Sequence, residues 1–219
     1  MTRRRTSMSA AATVVLVATL AVPSMALGQD DDTAADNDAL VLTPAQAEGP
    51  FYPVEIPADR DADLTVVEGA AAPALGTPLR VEGTLVHHDG TPIEGATVEI
   101  WQTDDQGIYL HPDDPGFADL DPGFQGYGES ITDSSGAWSF ETILPNVYGS
   151  RPRHIHAKVR IDGAEALTTQ IYFVDQGVGL TGAVALTGTE LDELIVELEP
   201  VAREDGVAAF VATHAIVIE

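Results

Sequence analysis

Short segments of alternating apolar and polar residues, separated by turn signals, constrain the fold of this chain more than any other feature. Residues 79–86 and 96–101 alternate with a period of two, and Asp89-Gly90 and Glu94-Gly95 lie between them. Similar patterns return at residues 137–142, 154–161, 168–173, 194–199 and 208–218. We therefore predict an all-β fold, a β-sandwich of about seven to nine strands whose first two strands form a hairpin or meander. Only residues 189–194 favour a helical turn.

A long loop separates the first strands from the later ones. Residues 112–128 are rich in Pro, Gly and Asp, lack periodicity and closely follow Tyr109. Loops of this length in compact domains usually contribute to function, so we expect this loop to border a functional site. The 219 residues are sufficient for one core of ordinary size.

The N-terminus has the pattern of a signal peptide. Arg3, Arg4 and Arg5 precede an apolar run at residues 10–22, and Ser24-Met25-Ala26 follows it as a small-x-small cleavage pattern. The apolar run is shorter than the roughly 20 residues that a membrane-spanning helix needs. We predict that residues 1–26 are removed and that the protein is exported, either secreted or placed in the periplasm or cell envelope. Thr2-Arg3-Arg4 also resembles the start of a twin-arginine signal, so both export routes stay open.

Composition describes the rest of the chain. Residues 27–47 are rich in Asp, Ala and Thr, which predicts an acidic disordered linker before a folded domain at residues 48–219. The 35 acidic and 10 basic residues leave a net charge of −25, which repels nucleic acid and anionic membranes. This acidity fits general solubility or a saline habitat. Because cysteine is absent, the chain has no disulfide and no thiolate, and any metal site must use nitrogen and oxygen ligands.

Two histidines mark a candidate metal site. His154 and His156 lie at i and i+2 in a predicted strand, so their side chains project from one face about 7 Å apart and can converge on one metal. Tyr148 lies in a turn-rich segment shortly before them, and Arg151-Pro152 intervenes where proline disfavours a helix. Tyr109 ends an earlier strand-like segment. Taken singly, each of these residues is also typical of an ordinary exposed or half-buried position.

Four stretches of the chain, taken together, carry a more specific signal. They are Glu48 to Pro53; Val98 to Gln102 with Gly107 to His111; Tyr148 with Arg151 to His156; and Thr169 to Phe173. In this order they resemble the intradiol ring-cleavage dioxygenases, the family that includes protocatechuate 3,4-dioxygenases and catechol 1,2-dioxygenases. The connection from Tyr148 to Arg151 is short, and the helical N-terminal segment of the catechol 1,2-dioxygenases is not seen. The chain is therefore similar to the compact secreted branch of the family.

This resemblance implies one non-haem Fe(3+) per chain, held by four residues. Tyr109 and His156 match equatorial ligands, His154 matches the axial histidine, and Tyr148 matches the axial tyrosinate that leaves when substrate arrives and accepts one of its protons. Ferric iron is a hard cation that anionic oxygen donors stabilise, so a set of two tyrosines and two histidines suits it. The implied reaction is intradiol cleavage of a catechol-type diol by O2 to a muconate-type diacid, in the catabolism of aromatic compounds.

The same resemblance implies roles for residues around the iron. Arg151 matches the family's active-site arginine, which stabilises developing negative charge, and Gln170 matches a cavity residue. The candidate substrate contacts are Phe51, Tyr52, Pro53 and His111. We expect Arg153 to be an exposed charge. The remaining histidines fit no motif and are expected to be structural or exposed: His87, His88 and His214.

Two other interpretations stay open. An exported β-sandwich without enzymatic activity, such as a binding module, leaves the tyrosines and histidines unexplained. A Zn or Cu protein could use His154 and His156, with His111 as a third ligand. The substrate is open too. Once Arg151 is assigned to the reaction, no second cation is evident for a carboxylated substrate such as protocatechuate, which favours catechol, hydroxyquinol or lignin-derived diols. The oligomeric state does not follow from the sequence.

Overall fold

The computed structural model describes residues 40–173, 193–204 and 209–219. Within these ranges it contains nine strands and a 3-10 turn at Phe117–Asp119. No helix in the described ranges is long and apolar enough to cross a membrane. The predicted signal peptide at residues 1–26 and most of the predicted helical turn at residues 189–194 lie outside the described residues.

The strands form two sheets. In chain order they are β1 (Pro78–His87), β2 (Thr97–Trp101), β3 (Tyr127–Ile131), β4 (Ala137–Ile143), β5 (His154–Ile161), β6 (Ala164–Phe173), β7 (Ile195–Val196), β8 (Glu199–Val201) and β9 (Ala209–Ile218). The first sheet has the order β4-β1-β9-β8, and the second has the order β3-β2-β5-β6-β7. Most neighbours are antiparallel, whereas β1 pairs in parallel with β9, and β6 with β7.

The core lies between the two sheets. In β1, Leu79, Val81 and Leu85 face inward, and in β2, Val98 and Ile100 face inward; all five belong to one buried apolar cluster. Removing this surface from water stabilises the fold by about 25 cal/mol for each Å² of apolar area. The alternation seen in the sequence therefore has a direct physical cause, and the predicted all-β sandwich is confirmed.

The first strands have different partners from those predicted. β1 and β2 do not form a hairpin, because β1 pairs with β4 and β9 while β2 pairs with β3 and β5. Their connection crosses between the sheets, so that the apolar faces of both strands meet across the core. The predicted loop at residues 112–128 is also shorter at its end, since β3 begins at Tyr127.

Residues 27–39 of the predicted linker lie outside the described residues, whereas residues 40–47 are ordered and not the disordered linker that composition predicts. The backbone N–H groups of Leu40, Thr43 and Gln46 donate to the carbonyl oxygens of His88, Val217 and Thr168. This segment thus contacts both sheets, since Val217 belongs to β9 and Thr168 to β6, and the folded region begins no later than Leu40. Its partners are far away in the sequence, so local composition carries no sign of them.

Strand β5 is buried on both faces, so polar side chains on its outer face are shielded from water. Ile155 and Ala157 belong to the core between the sheets. On the opposite face, His154, His156 and Lys158 are also buried. Cover for this outer face comes partly from the N-terminal segment around Glu48 and Tyr52, both of which contact Lys158. Polar side chains are thereby held in a shielded layer outside the core.

Candidate metal centre

Three buried donor atoms meet on the outer face of the second sheet. The Tyr109 hydroxyl lies 3.1 Å from His154 Nε2 and 3.2 Å from His156 Nε2. Strand parity places the two imidazoles on one side of β5. Tyr109 approaches from the loop after β2, where its backbone N–H donates to Asp114 Oδ2. The three side chains are only 2–3% exposed, so the structure brings together three of the four predicted ligands in a nearly dry site.

The two imidazoles are neutral and can each offer a lone pair. Burial lowers the pKa of His154 to about 4 and lowers the pKa of His156 well below its usual value. His154 Nδ1 lies 2.7 Å from the carbonyl oxygen of Pro152, so Nδ1 carries the proton and Nε2 presents its lone pair to the centre. The loop before β5 thus sets the tautomer that a metal ligand needs.

A cation fits this donor set better than hydrogen bonds do. The Tyr109 hydroxyl has one proton and can satisfy only one of the two Nε2 atoms that face it. His156 Nδ1 has no hydrogen-bond partner among the described residues. Burial raises the pKa of Tyr109, so ionising it requires a positive charge nearby. A metal ion would accept both Nε2 lone pairs and supply the positive charge that ionises Tyr109, while His156 Nδ1 would keep its proton.

The zinc or copper interpretation loses its third ligand. In the ranges that the structure covers, no three His, Asp or Glu side chains form a group that could hold a metal ion. His111 is buried, and its Nδ1 accepts a hydrogen bond from the backbone N–H of Asp113. Among the described residues, the Tyr109 hydroxyl is the side-chain oxygen that lies within 3.2 Å of both His154 Nε2 and His156 Nε2.

Tyr148, the fourth predicted ligand, lies at the edge of the group. Its ring centre is 5.4 Å from that of Tyr109 and 5.2 Å from that of Phe51, both with edge-to-face geometry. Its hydroxyl makes no hydrogen bond among the described residues. Burial and the charge of Asp114 raise the pKa of Tyr148. This half-buried tyrosine can therefore approach or leave the centre without breaking a hydrogen bond of its side chain.

Arg151 is anchored beside the centre by two residues of β6. Its Nη2 donates to Gln170 Oε1 at 2.7 Å and to the Tyr172 hydroxyl at 3.3 Å. Gln170 in turn donates through Nε2 to the carbonyl oxygen of Ala47. Arg151 also acts electrostatically on His154: burial is the main cause of the lowered pKa of His154, the Pro152 hydrogen bond opposes it, and the charge of Arg151 adds to it. The guanidinium is thus held in place with further N–H groups available to a ligand.

Three residues around the centre were missed in the sequence. The Trp101 ring stacks on His156 with centroids 4.7 Å apart and an angle of 10° between the planes. The Tyr172 ring lies 5.9 Å from that of His154. Lys158 lies over Tyr52, with Nζ 4.0 Å from the ring centroid. Strand parity could have found two of them, because Lys158 is two residues from His156 and Tyr172 is two residues from Gln170, whereas Trp101 meets His156 only through the pairing of β2 with β5.

The predicted substrate contacts are placed differently from one another. Phe51 stacks on Tyr109 with centroids 5.0 Å apart, and the ring of His111 lies behind it at 5.5 Å. Tyr52 turns away and donates to Glu99 Oε2. Pro53 is buried, and among the described residues no hydrogen bond or ring contact links it to the four candidate ligands. Arg153, expected to be exposed, is half-buried and donates to the carbonyl oxygen of Pro145.

Comparison with known proteins gives a consistent result. A family model described as "Dioxygenase" matches residues 47–217. The protocatechuate 3,4-dioxygenase beta chain of Burkholderia cepacia is 36% identical over 132 residues, which cover 57% of this chain and 56% of that relative. The chain spans about half the length of the curated relatives it matches.

Solved structures match a larger share of the chain. The dioxygenase domain of a dioxygenase carbohydrate-binding protein fusion from Streptomyces sp. SirexAA-E has a TM-score of 0.62 and 27% identity, over 82% of this chain and 99% of that one. An intradiol ring-cleavage dioxygenase from Tetranychus urticae has a TM-score of 0.59 and 25% identity, over 82% and 95%. The family match, these folds and the tyrosine-histidine centre lead to one assignment: this chain belongs to the intradiol ring-cleavage dioxygenase family.

Proposed function

We propose that this protein cleaves the ring of catechol-type diols between the two hydroxylated carbons, using O2 and one non-haem ferric ion. The convergence of Tyr109, His154 and His156 within 3.2 Å is the observation that supports this most strongly. Phenol oxygens and neutral imidazoles together suit a hard trivalent cation. Relatives named protocatechuate 3,4-dioxygenase and catechol 1,2-dioxygenase support the same reaction class.

The residues that would hold the iron are Tyr109, Tyr148, His154 and His156. Ferric iron, when bound, would withdraw electron density from the diol ring and make that ring reactive toward O2. The surrounding chain holds the ligands in position. The Pro152 carbonyl fixes the tautomer of His154, and the Trp101 ring fixes the plane of His156.

Tyr148 is the residue best placed to handle a substrate proton. A catechol must lose its hydroxyl protons to bind through both oxygens, and an ionised tyrosine within reach can accept one of them. Tyr148 is half-buried at the edge of the centre, and its hydroxyl is not held by a hydrogen bond among the described residues. It can therefore move aside and take the proton, while the buried Tyr109 stays between the two histidines.

Arg151 would stabilise negative charge that develops on the substrate. Gln170 and Tyr172 hold its guanidinium beside the centre, so little reorganisation is needed during the reaction. Phe51, stacked on Tyr109, would contact the aromatic ring of the diol.

We further propose a substrate without a carboxylate, such as catechol, hydroxyquinol or a lignin-derived diol. Gln170 and Tyr172 hold Arg151 beside the centre, where its remaining N–H groups would serve the charge that develops on the reacting atoms rather than a substrate carboxylate. The net charge of −25 disfavours the approach of an anionic substrate and favours the departure of a dianionic product. Rates of O2 uptake with catechol, hydroxyquinol and protocatechuate test this directly. Faster turnover of protocatechuate than of both neutral diols would contradict it.

Metal content, colour and activity together test the main proposal. The purified protein, reconstituted with ferric iron, should hold about one iron per chain, absorb visible light through its tyrosinate ligands, and consume O2 with catechol. His156→Ala should lose most of the iron because a buried ligand has no substitute. Zinc in place of iron, or a colourless protein after reconstitution, would favour a different metalloprotein or a binding module.

We also propose that the protein works outside the cytoplasm after removal of residues 1–26. Basic residues, an apolar run and a small-x-small pattern at the N-terminus support this. Mass spectrometry of protein recovered from the culture medium or cell envelope should find a chain that begins near Leu27. Full-length protein confined to the cytoplasm would contradict the proposal.

A further inference from the structure

The N-terminal strap, residues 46–52, crosses the outer face of the second sheet beside the metal centre. Near its start, Gln170 donates to the carbonyl oxygen of Ala47. A Cβ added to Gly49 would lie 3.3 Å from His156 Cε1, and the φ of Gly49 is +76°, so the strap passes closely over this ligand. Near its end, Phe51 stacks on Tyr109. The position of the strap therefore decides how well two candidate ligands are covered.

Lys158 is a buried cation at the middle of this crossing. Its side chain is 3% exposed, and Nζ lies 2.5 Å from Glu48 Oε2 and 3.4 Å from Glu165 Oε2. Glu48 belongs to the strap, whereas Glu165 belongs to β6 in the same sheet as Lys158. Nζ also lies 4.0 Å from the centre of the Tyr52 ring, and the Tyr52 ring packs edge-on against Trp101. One lysine thus connects the strap with the aromatic ring that stacks on His156.

We propose that Lys158 is a positioning residue that holds the strap over the metal centre through its ion pair with Glu48 and its cation–π contact with Tyr52. Lys158 lies on the same face of β5 as His156, two residues along, and touches no donor atom of the centre itself. Lys158 contacts Glu48 and Tyr52, which lie on either side of Gly49 and Phe51 in the sequence. These two contacts keep Gly49 against His156 and Phe51 against Tyr109. In the proposed reaction, this would keep the Phe51 ring in a fixed position against the diol. Only this consequence for substrate binding rests on the proposed function.

The ion pair is suited to positioning rather than to overall stability. Glu48 is 45% exposed in its side chain, so it keeps much of its hydration, while Lys158 is desolvated. Losing one partner of an ion pair is costly when the charge left behind is buried, but Lys158→Met removes the buried charge and leaves the partly exposed Glu48 carboxylate. A methionine at position 158 would fill the same apolar space between Tyr52 and Trp101. The strap would then lose its charged tether while the sheet beneath it remains intact.

Hydrogen exchange of the full chain separates the two roles. Lys158→Met and Glu48→Gln should each speed exchange of the strap amides by about tenfold, the change expected when one tether with a modest free energy is lost. Glu165→Gln is the matched control, because it also removes a carboxylate next to Lys158 but leaves the strap tethered. In that variant, exchange of the strap should match the parent protein. Glu48→Gln changes an exposed side chain, so it provides the same test if Lys158→Met fails to fold.

The kinetic readout concerns substrate binding rather than the chemical step. With catechol, Lys158→Met and Glu48→Gln should raise KM by about tenfold with a much smaller change in kcat, while Glu165→Gln should change neither. Parent-like exchange of the strap in Lys158→Met, or equal effects of Glu48→Gln and Glu165→Gln, would overturn the proposal. Exchange is measured with and without iron, so its outcome is independent of whether the protein cleaves catechols.

Discussion

At the scale of single residues, the centre is defined by a conflict that ordinary hydrogen bonding does not resolve. Two neutral imidazole nitrogens face one phenol hydroxyl at 3.1 and 3.2 Å, and all three groups are buried. Leaving a buried polar atom unpaired costs about 1–3 kcal/mol. Sites that carry such a cost are often functional, and a bound cation would account for this one.

The two tyrosines should respond differently to loss of the hydroxyl. Tyr109→Phe removes an oxygen from between His154 and His156, so we expect iron affinity to fall by at least about a hundredfold. Tyr148→Phe removes an oxygen at the edge of the centre, so most of the iron should remain while anaerobic catechol binding becomes slower. Iron titration and stopped-flow absorbance measure the two effects. Equal iron loss in both variants, or parent-rate catechol binding in Tyr148→Phe, would show that the roles are assigned wrongly.

Arg151 should be sensitive to geometry as well as to charge. Arg151→Lys keeps the positive charge, but an ammonium that took over the two hydrogen bonds of Nη2 to Gln170 and Tyr172 would lack the other N–H groups that the planar guanidinium offers to a ligand. We expect kcat/KM for catechol to fall by about a hundredfold with iron content unchanged. Arg153→Lys serves as the control two positions away and should keep most of the activity. An active Arg151→Lys enzyme would remove Arg151 from the reaction.

At the scale of elements, the site depends on β5, which packs into the core with one face and carries the candidate ligands on the other. In β5 the residues of one parity fill the core, and the residues of the other parity carry the candidate ligands and Lys158. β2 follows the same rule, since Val98 and Ile100 face the core while Glu99 and Trp101 lie on the functional face. The core side chains hold β2 and β5 in position, and the candidate ligands on the other face of β5 are therefore held in position as well.

The close pairing of β1 and β9 depends on Gly83, whose φ is not in the left-handed region and whose importance lies in the missing side chain. A Cβ on Gly83 would lie 1.7 Å from the carbonyl oxygen of His214 and 2.8 Å from Trp138 Cζ2. The carbonyl cannot move without disturbing the parallel pairing of the two strands. We therefore expect Gly83→Ala to lower the free energy of unfolding by roughly 3 kcal/mol. Chemical denaturation measures this, with the exposed neighbour Thr84→Ala expected to change stability by less than about 1 kcal/mol.

At the scale of the whole molecule, stability should fall in mild acid because of a histidine in the core. His214 has the inward parity of Ala212 and Ile216, and its Nε2 has no hydrogen-bond partner among the described residues. Burial lowers its pKa from 6.5 to about 4. Between these two values the unfolded chain binds a proton that the folded chain does not, so folding weakens as pH falls from 6.5 to 4.

The size of this effect can be checked by replacing the histidine. A shift of this extent corresponds to a loss of roughly 3 kcal/mol across the window. In the metal-free protein, denaturation at several pH values should show a loss greater than this, because the pKa values of His154 and His156 are lowered too, and His214→Leu should have a flatter profile from pH 6.5 to 4 by the share of His214. An equally steep profile in the variant would mean that other groups cause the acid sensitivity.

Much of this molecule could be predicted from local patterns in the sequence. Local patterns predicted the strands that became β1, β2, β4, β5, β6 and β9, because successive side chains of a strand point to opposite faces whatever its partners are. The spacing of His154 and His156 predicted a shared face for the same reason. The short motifs pointed to Tyr109 and Arg151 as partners, although only through resemblance to a family.

Other features were decided only by the tertiary structure. Whether β1 pairs with β2 or with β9 depends on which apolar faces meet across the core, and that is a long-range choice. The ordering of residues 40–47, the stacking of Trp101 on His156 and the Glu48–Lys158 pair join residues from distant parts of the chain. Sequence by itself determined which way side chains point from each strand, since that is fixed by local backbone geometry. Only packing determined which of them meet, because contacts between strands arise from burying the whole set of apolar faces at once.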